Sequence, residues 1–306
     1  MIPLKVLSLF DGISCGQLAL ERAGIPVETY LASEIKNHAI KVTQHHFPET
    51  VQLGDVTKIS YKDGVLFYSD DNKSLDIGKI DLLIGGSPCQ DFSPLNVSVN
   101  HKFGLEGDKS KLFYEYLRLL KEINPRYFLL ENVKMKKDAK KNLDEYLKTE
   151  GILINSSNFS YQNRPRFYWT NIEIPEIIDK NISFQNFKDT NPEYCRRFKL
   201  KRTKYTEKMW SGGNGNNSIK GGCTNVTYKD KIHCVRTKEY RCPNSGLIEF
   251  EDFCRLLTIR ELEQAQTLPV GYTEMLSDNQ AQDVIGDGWT VDVIAHIFQG
   301  LKKGLK

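Results

Sequence analysis

Four residues of this sequence have types and spacing suited to covalent chemistry: Cys89, Glu131, Arg164 and Arg166. The cysteine lies in "DLLIGGSPCQDFSPLN", where the apolar run Leu82, Leu83, Ile84 stops at Gly85-Gly86 and Ser87-Pro88 leads into the thiol. A structural cysteine belongs inside such a run, as a small hydrophobe. This one stands just beyond it, where open α/β sheets place their ligands, and Pro88 restricts the backbone ahead of it. A cysteine attacks as thiolate, and a free thiol with a pKa of ~8.5 is only partly ionised at neutral pH. Glu131, in "LLENV", closes a neighbouring apolar run, where a carboxyl group can act as hydrogen-bond donor or acid. In "QNRPRF", Arg164 and Arg166 hold alternate positions of an extended segment, so both point to one face. Two guanidiniums on one face suit a carbonyl oxygen, a carboxylate or a phosphate. Ordinary alternatives stand beside these readings: a strand-end salt bridge for Glu131, surface ion pairs for the arginines.

A second group is acidic. "LFDGISCG" (Leu9–Gly16) follows a first apolar run and opens a helix without being G-x-G-x-x-G, so the dinucleotide fingerprint fails. Its Asp11 would repel a pyrophosphate and suits a cofactor with a cationic or ammonium-bearing part. Glu34 ends the second strand, where an acid takes ribose hydroxyls in doubly wound folds. Asp55 follows the third and can accept from an adenine amino group. Three carboxylates at three successive strand ends fit a nucleoside with an amino-acid tail, namely S-adenosylmethionine. Taken singly, Asp11 and Asp55 read as helix N-caps and Glu34 as a surface residue; taken together they do not.

The elements that must hold these groups alternate. Strands are expected over "KVLSLF", "ETYLASE", "VQLGDV", "KIDLLIGG" and "RYFLLENV", then over "GILINSSNFSY" and "RFYWTNI". Helices are expected through "QLALERAG", "HAIKVTQHHF", "KSKLFYEYLRLLKEI" and "KNLDEYLKTEG". In the third of these Leu112, Phe113, Tyr116, Leu119 and Leu120 share one face. This alternation implies an α/β fold with a doubly wound, mostly parallel sheet. Periodicity fades from about residue 174. There "RRFKLKRTKY" gathers Arg196, Arg197, Lys199, Lys201, Arg202 and Lys204, and "WSGGNGNNSIKGGCTN" is rich in Gly and Asn. A charge run of this kind is ordinarily a solvated face; beside a loop-rich insert it also resembles a nucleic-acid clamp. Regular pattern returns at "RLLTIRELEQAQTLP", where Thr258 and Glu261 form a capping box, and at "GDGWTVDVIAHIFQGL".

Composition excludes little and permits much. The 306 residues, 40% hydrophobic and 26% charged, support a sizeable core. A net charge of +3 does not by itself argue for nucleic acid. Seven cysteines without a C-x-x-C indicate neither a disulfide framework nor a zinc site, so no metal is expected. With no signal peptide and no membrane-length apolar run, the chain reads as soluble and intracellular.

The order "LFDGISCGQLAL", "ASE", "GDV", "GGSPCQDFS", "FLLENV", "QNRPRF", "LTIRELEQAQTLP" and "GDGWTVDVI" resembles that of the DNA (cytosine-5)-methyltransferases. The motifs run from residue 6 to about residue 298 and leave out only residues 172–254, the family's variable target-recognition region. "LASEIKNHAI", "GGSPC" and "GDGWTVDVIAHIF" look more like the de novo branch, and phage or bacterial enzymes near it, than the shortest restriction-modification enzymes. The resemblance implies a class I S-adenosylmethionine-dependent methyltransferase fold, at work in the cytoplasm or nucleoid of a bacterial or phage-infected cell. It implies a catalytic domain of residues 1–171 and 255–306, and a small loop-rich target-recognition region of residues 172–254. It makes Cys89 the nucleophile towards carbon 6 of a cytosine flipped out of double-stranded DNA. Glu131 then holds and protonates ring nitrogen 3, Arg166 binds the cytosine carbonyl oxygen, and Arg164 supports that site and the thiolate. Phe10, Asp11, Gly12 and Ile13 line the methionine and adenine ends of the cofactor. Glu34 takes the ribose, Asp55 with Val56 the adenine, and Leu112 a wall of the pocket, with Ile35 and Pro88 as further cofactor contacts.

At Gly286-Asp287-Gly288 many members carry Gly-Asn-Ser. Asp287 cannot donate as an amide does, yet a carboxylate can meet the cofactor ammonium, so Asp287 and Trp289 are carried over as contacts. Arg196 to Lys204 would lie on DNA phosphates, and the chain is taken as a monomer. Two rivals keep the same core: a transfer-RNA cytosine-5 methyltransferase, disfavoured because its usual Cys-Phe-Thr is missing, and a catalytically silent DNA-binding regulator, disfavoured because the cysteine, glutamate and cofactor acids are all present.

Overall fold

The computed structural model describes residues 1–69, 73–87, 111–200, 224–241, 243–250 and 253–305. Pro88, Cys89, Lys201, Arg202, Lys204 and the Gly/Asn-rich Ser211–Asn217 stretch therefore lie outside the described residues. The chain divides into two compact units, one of residues 1–154, 165–176 and 293–306, the other of 155–164 and 177–292. Residues 255–292, grouped from sequence with the catalytic core, cluster in the second unit.

The first unit is built on β1 (Leu4–Leu9), β2 (Val27–Ser33), β3 (Val51–Gln52), β7 (Leu82–Gly86), β8 (Tyr127–Val133), β9 (Ile152–Asn155) and β10 (Pro165–Thr170). They form a seven-stranded sheet in the order β3-β2-β1-β7-β8-β10-β9. The neighbours from β3 to β8 run parallel, and β10 lies antiparallel to β8. Apolar runs such as LKVLSL are buried almost throughout, because central strands of such a sheet are covered on both faces. Helices α1 (Cys15–Ala23), α2 (Asn37–His46), α3 (Lys111–Ile123) and α4 (Lys137–Leu147) provide the crossovers. Of the face expected for α3, Phe113, Tyr116 and Leu119 are fully buried and Leu112 and Leu120 partly so. The Tyr116 ring lies so close to β7 that a Cβ on Gly85 would stand 3.0 Å from it. A side chain at Gly85 would crowd that ring, which favours glycine there.

The order reverses between β1 and β7. After β1 the chain winds outward to β3, then returns to the other side of β1, and ligands of doubly wound folds bind at such a switch point. The chain leaving β1 carries Asp11, and the chain leaving β7 begins at Ser87. One insertion is not foreshadowed in the sequence pattern. Residues between β3 and β7 fold as an antiparallel three-stranded sheet, β4 (Ser60–Lys62), β5 (Val65–Tyr68) and β6 (Lys73–Asp76). Its strands of three or four residues are too short for a clear period-two signal.

The second unit carries α5 (Pro192–Arg196), the hairpin β11 (Ile248–Phe250) and β12 (Phe253–Arg255), and the helices Ile259–Ala265 and Asp278–Asp287. The capping box expected at Thr258 and Glu261 is formed on both sides. Glu261 also takes the guanidinium of Arg255 in a two-point pair of 2.7 and 2.8 Å, with neither side chain exposed. A pair this dry anchors the unit, since removal of one partner strands the other charge at a cost of ~3–5 kcal/mol.

Candidate active site

The loop after β1 turns under strain. Phe10, Gly12 and Ser14 all have left-handed backbones, with φ of 58°, 62° and 55°. For a residue as bulky as Phe10 this is costly, of order 1–3 kcal/mol, and such outliers gather at functional sites. Hydrogen bonds hold the turn. The Asp11 amide donates to the Ser33 carbonyl over 3.0 Å, and that of Gly12 donates to Glu34 Oε2 over 2.9 Å. Ser14 Oγ donates to Asp11 Oδ2 over 2.5 Å, and the Tyr30 hydroxyl to Asp11 Oδ1 over 2.8 Å. Burial pushes the Asp11 carboxyl above its ordinary range, against the pull of hydrogen bonds from Ser14, Ser8 and Tyr30; the Glu34 charge adds to the rise. Burial first, then the Asp11 charge, raises Tyr30 well above an ordinary phenol.

Glu34 Oε1 accepts from the amides of Ile35 and Lys36 over 2.8 and 2.9 Å, so its carboxylate is fixed at the end of β2. Ile35 beside it is 70% exposed, an apolar surface left open next to a fixed acid. Asp55 caps the short helical turn Val56–Lys58 by accepting from the Thr57 amide and hydroxyl, both 2.9 Å and both at Oδ1. Asp55 is therefore an N-cap, as its type allowed, and capping through one oxygen leaves the second for a ligand. Ser33 Oγ donates to the Gly54 carbonyl over 2.8 Å, which ties the ends of β2 and β3 together. Ile13 and Val56 are buried, and Leu112 is partly buried in the first turn of α3. All these residues sit at the carboxyl ends of the strands or next to them.

β7 and β8 bring the catalytic candidates together. Gly86 pairs with Glu131 in the ladder, three residues ahead of Cys89. One step on, Asn132 Nδ2 donates to Ser87 Oγ over 3.0 Å and holds the residue that follows β7. In the antiparallel pair β8/β10, Glu131 stands opposite Tyr168 and Arg166 opposite Val133, so Glu131 and Arg166 are diagonal neighbours on one face. Arg166 Nε lies 3.0 Å from Glu131 Oε1, with only 13% and 11% of the side chains exposed.

Arg164 has other partners. It is buried and makes four hydrogen bonds within the second unit. Nη1 donates to the Val235 carbonyl over 2.7 Å and to Cys234 Sγ over 3.5 Å; Nη2 donates to the Gly288 and Gly286 carbonyls over 2.9 and 3.3 Å. The last two carbonyls bracket Asp287. The alternation of Arg164 and Arg166 thus separates two duties, one arginine for a carboxylate and the other for backbone. Gln162 donates to the Ala265 carbonyl and Gln266 Oε1 and accepts from the Val235 amide. Gln266 in turn donates to the Ile285 and Gly288 carbonyls. Tyr30, Asn132, Gln162 and Gln266 were not singled out from sequence. Buried amides give no periodic signal, although Gln162 opens the same motif as the arginines.

In the basic run the described residues Arg196, Arg197 and Lys199 are exposed. Arg197 Nη2 meets Asp278 at 2.9 Å, and Arg196 and Lys199 each lie 5.3 Å from the Phe253 ring centre.

A doubly wound sheet with one antiparallel strand, carrying acids at the ends of β1 to β3, defines a class I methyltransferase fold. The model of the C-5 cytosine-specific DNA methylases matches residues 4–303, and the chain belongs to that family. It is 40% identical over 136 residues to an orphan methyltransferase of Bacillus phage rho11s, and 37% over 191 residues to one of Bacillus phage SPR. These matches cover 44% and 58% of this chain but only 24% and 39% of the phage proteins. A type II methyltransferase, M1.ScrFI of Lactococcus lactis subsp. cremoris, is 29% identical over 99% of this chain and 79% of its own length. Among solved structures, the Entamoeba histolytica methyltransferase EhMeth superposes with a TM-score of 0.73 over the whole of both chains at 18% identity. S. pombe Dnmt2 does so with 0.69 over 99% of both at 16%. At such identities the likeness is one of fold. No helix among the described residues is long and apolar enough to cross a membrane.

Proposed function

We propose that this chain methylates carbon 5 of cytosine in double-stranded DNA through a covalent adduct with Cys89. The observation that carries the reading is the Glu131–Arg166 pair, 3.0 Å apart at the end of the strand whose ladder partner leads to Cys89. Carbon 5 is a poor nucleophile, and covalent addition divides one hard step into easier ones. The base must leave the stack to be reached. The Cys89 thiolate adds to carbon 6, Glu131 delivers a proton to ring nitrogen 3, and carbon 5 becomes electron-rich. Arg166, steered by Glu131, meets the carbonyl oxygen. When carbon 5 has gained its methyl group, loss of its proton and release of the Cys89 sulfur restore the aromatic base.

S-adenosylmethionine supplies the methyl group as a sulfonium, and S-adenosylhomocysteine is left. The residues present suit it: the Phe10–Ile13 turn for the amino-acid tail, Glu34 for the ribose, exposed Ile35 and buried Val56 for the faces of adenine, and Asp55 for its amino group. Leu112 and Pro88 form further walls, and Asp287 with Trp289 meets the tail. Residues 172–254 choose the DNA sequence, and the basic run Arg196–Lys204 lies on phosphates, which position without specifying. Methylation-aware sequencing of DNA from cells expressing the protein tests the proposal. New 5-methylcytosine in one sequence context is expected, and none at all would refute it.

A further inference from the structure

We infer that Arg164 is a positioning residue for the cofactor: it sets the Gly286–Trp289 turn and does not touch the cytosine. The inference rests on the reading of Asp287 and Trp289 as cofactor contacts. Four of the donors of Arg164 point to acceptors in the second unit, and the side chain is 5% exposed. A guanidinium so engaged has little left to offer a substrate, since it carries five N–H donors in all. Its targets are informative. The Gly286 and Gly288 carbonyls come from the residues before and after Asp287, so one guanidinium nitrogen fixes the backbone on both sides of the residue whose carboxylate would meet the ammonium tail.

The turn is clamped from its other sides as well. Gln266 Nε2 donates to the same Gly288 carbonyl over 3.0 Å and to that of Ile285 over 2.9 Å. Thr290 Oγ1 donates to Gln266 Oε1 over 2.8 Å and lies 2.8 Å from Ser156 Oγ. Gly286 packs so tightly that a Cβ there would come within 2.2 Å of the Arg236 carbonyl carbon. The backbone of residues 235–237 is thus held against the turn, and Arg164 binds its Val235 carbonyl over 2.7 Å. Satisfied networks of buried polar groups rigidify what they hold, and a preorganised site binds more tightly than one that must be ordered on binding.

Lysine in place of Arg164 keeps the charge but has one nitrogen, which cannot serve the Val235 carbonyl and the Gly286 and Gly288 carbonyls together as Nη1 and Nη2 do. The test is calorimetric titration of the full chain with S-adenosylhomocysteine, beside titration with a cytosine-bearing duplex and a thermal melt. For Arg164→Lys, weakening of S-adenosylhomocysteine binding by about tenfold is expected, with duplex binding changed by less than about twofold. Gln266→Glu, which removes donors from the same Gly288 carbonyl, should weaken cofactor binding too. The double variant should then lose less than the product of the single losses, because the two side chains act on one group. If Arg164→Lys does not fold, Gln266→Glu alone carries the test. Unchanged S-adenosylhomocysteine affinity in the folded variants, or equal losses for duplex and cofactor, would overturn the inference. A wild-type protein that binds no S-adenosylhomocysteine would overturn the cofactor reading itself, and this inference with it.

Discussion

Replacing Glu131 by Gln isolates the proton from the shape of the site. The amide keeps the volume and can still accept from Arg166 Nε, which in the native pair lies 3.0 Å from a carboxylate oxygen, but it has no charge and no proton to deliver. The pair is nearly dry, with 13% and 11% of its side chains exposed, so the loss of charge is not screened as on a surface. The bond to Arg166 is kept but loses one of its two charges, so the expected fall in stability stays below the ~1.5–3 kcal/mol that a hydrogen bond to a charged group contributes. The chemical loss is larger. General acid–base catalysis is worth ~10²–10⁴-fold, or ~3–5 kcal/mol of activation free energy. The two effects have separate readouts. Denaturant unfolding gives the first. Single-turnover transfer of labelled methyl to duplex DNA, at saturating enzyme and cofactor, gives the second. Cofactor affinity should hold within about twofold, because Glu131 stands off the carboxyl ends of β1 to β3. Near-normal turnover with the stability loss intact would leave Glu131 as no more than the partner of Arg166.

Cys89 should become covalently attached to duplex DNA carrying 5-fluorocytosine in its target site, since fluorine cannot leave as the proton does; a denaturing gel with no cofactor-dependent shift, or an equal shift in Cys89→Ala, would remove the thiol from the mechanism. Neutralising Arg197, Lys201 and Arg202 together should weaken binding to all DNA and flatten its salt dependence by ~0.9 in log–log slope for each phosphate left without its cation; a wild-type slope would return the run to a solvated face. Changes in Asn214–Asn217 should instead alter which cytosines are methylated, as mapped by sequencing, and an unchanged target and rate would place recognition elsewhere. Gly286→Ala forces a methyl group to within 2.2 Å of the Arg236 backbone, which cannot rotate away as a side chain does. A loss of at least ~1–3 kcal/mol is expected, seen as a lower melting temperature; an unchanged melt would mean that the turn and residues 236–237 separate freely.

The chemistry proposed for this protein is read from the sequence because it rests on residue types at strand ends, and strand ends are marked by local signals. Apolar runs closed by Gly85-Gly86 or by Glu131-Asn132 show both the strand and the place where it stops. The α/β alternation, the buried face of α3 and the capping box of Thr258 and Glu261 are likewise written in short windows of chain. What the sequence left open depended on partners far along the chain. Arg164 and Arg166, two residues apart and alike in type, could be assigned to one face by alternation, but only the fold shows that Glu131 takes one and the carbonyls of Val235, Gly286 and Gly288 the other. Asp11 reads as a ligand for a cation, and only in the folded chain do the hydroxyls of Ser14 and Tyr30 close on it and burial raise its carboxyl. Spacing along the backbone decides which face a side chain takes; what waits on that face, and how much water is left there, is decided by packing between segments a hundred residues apart.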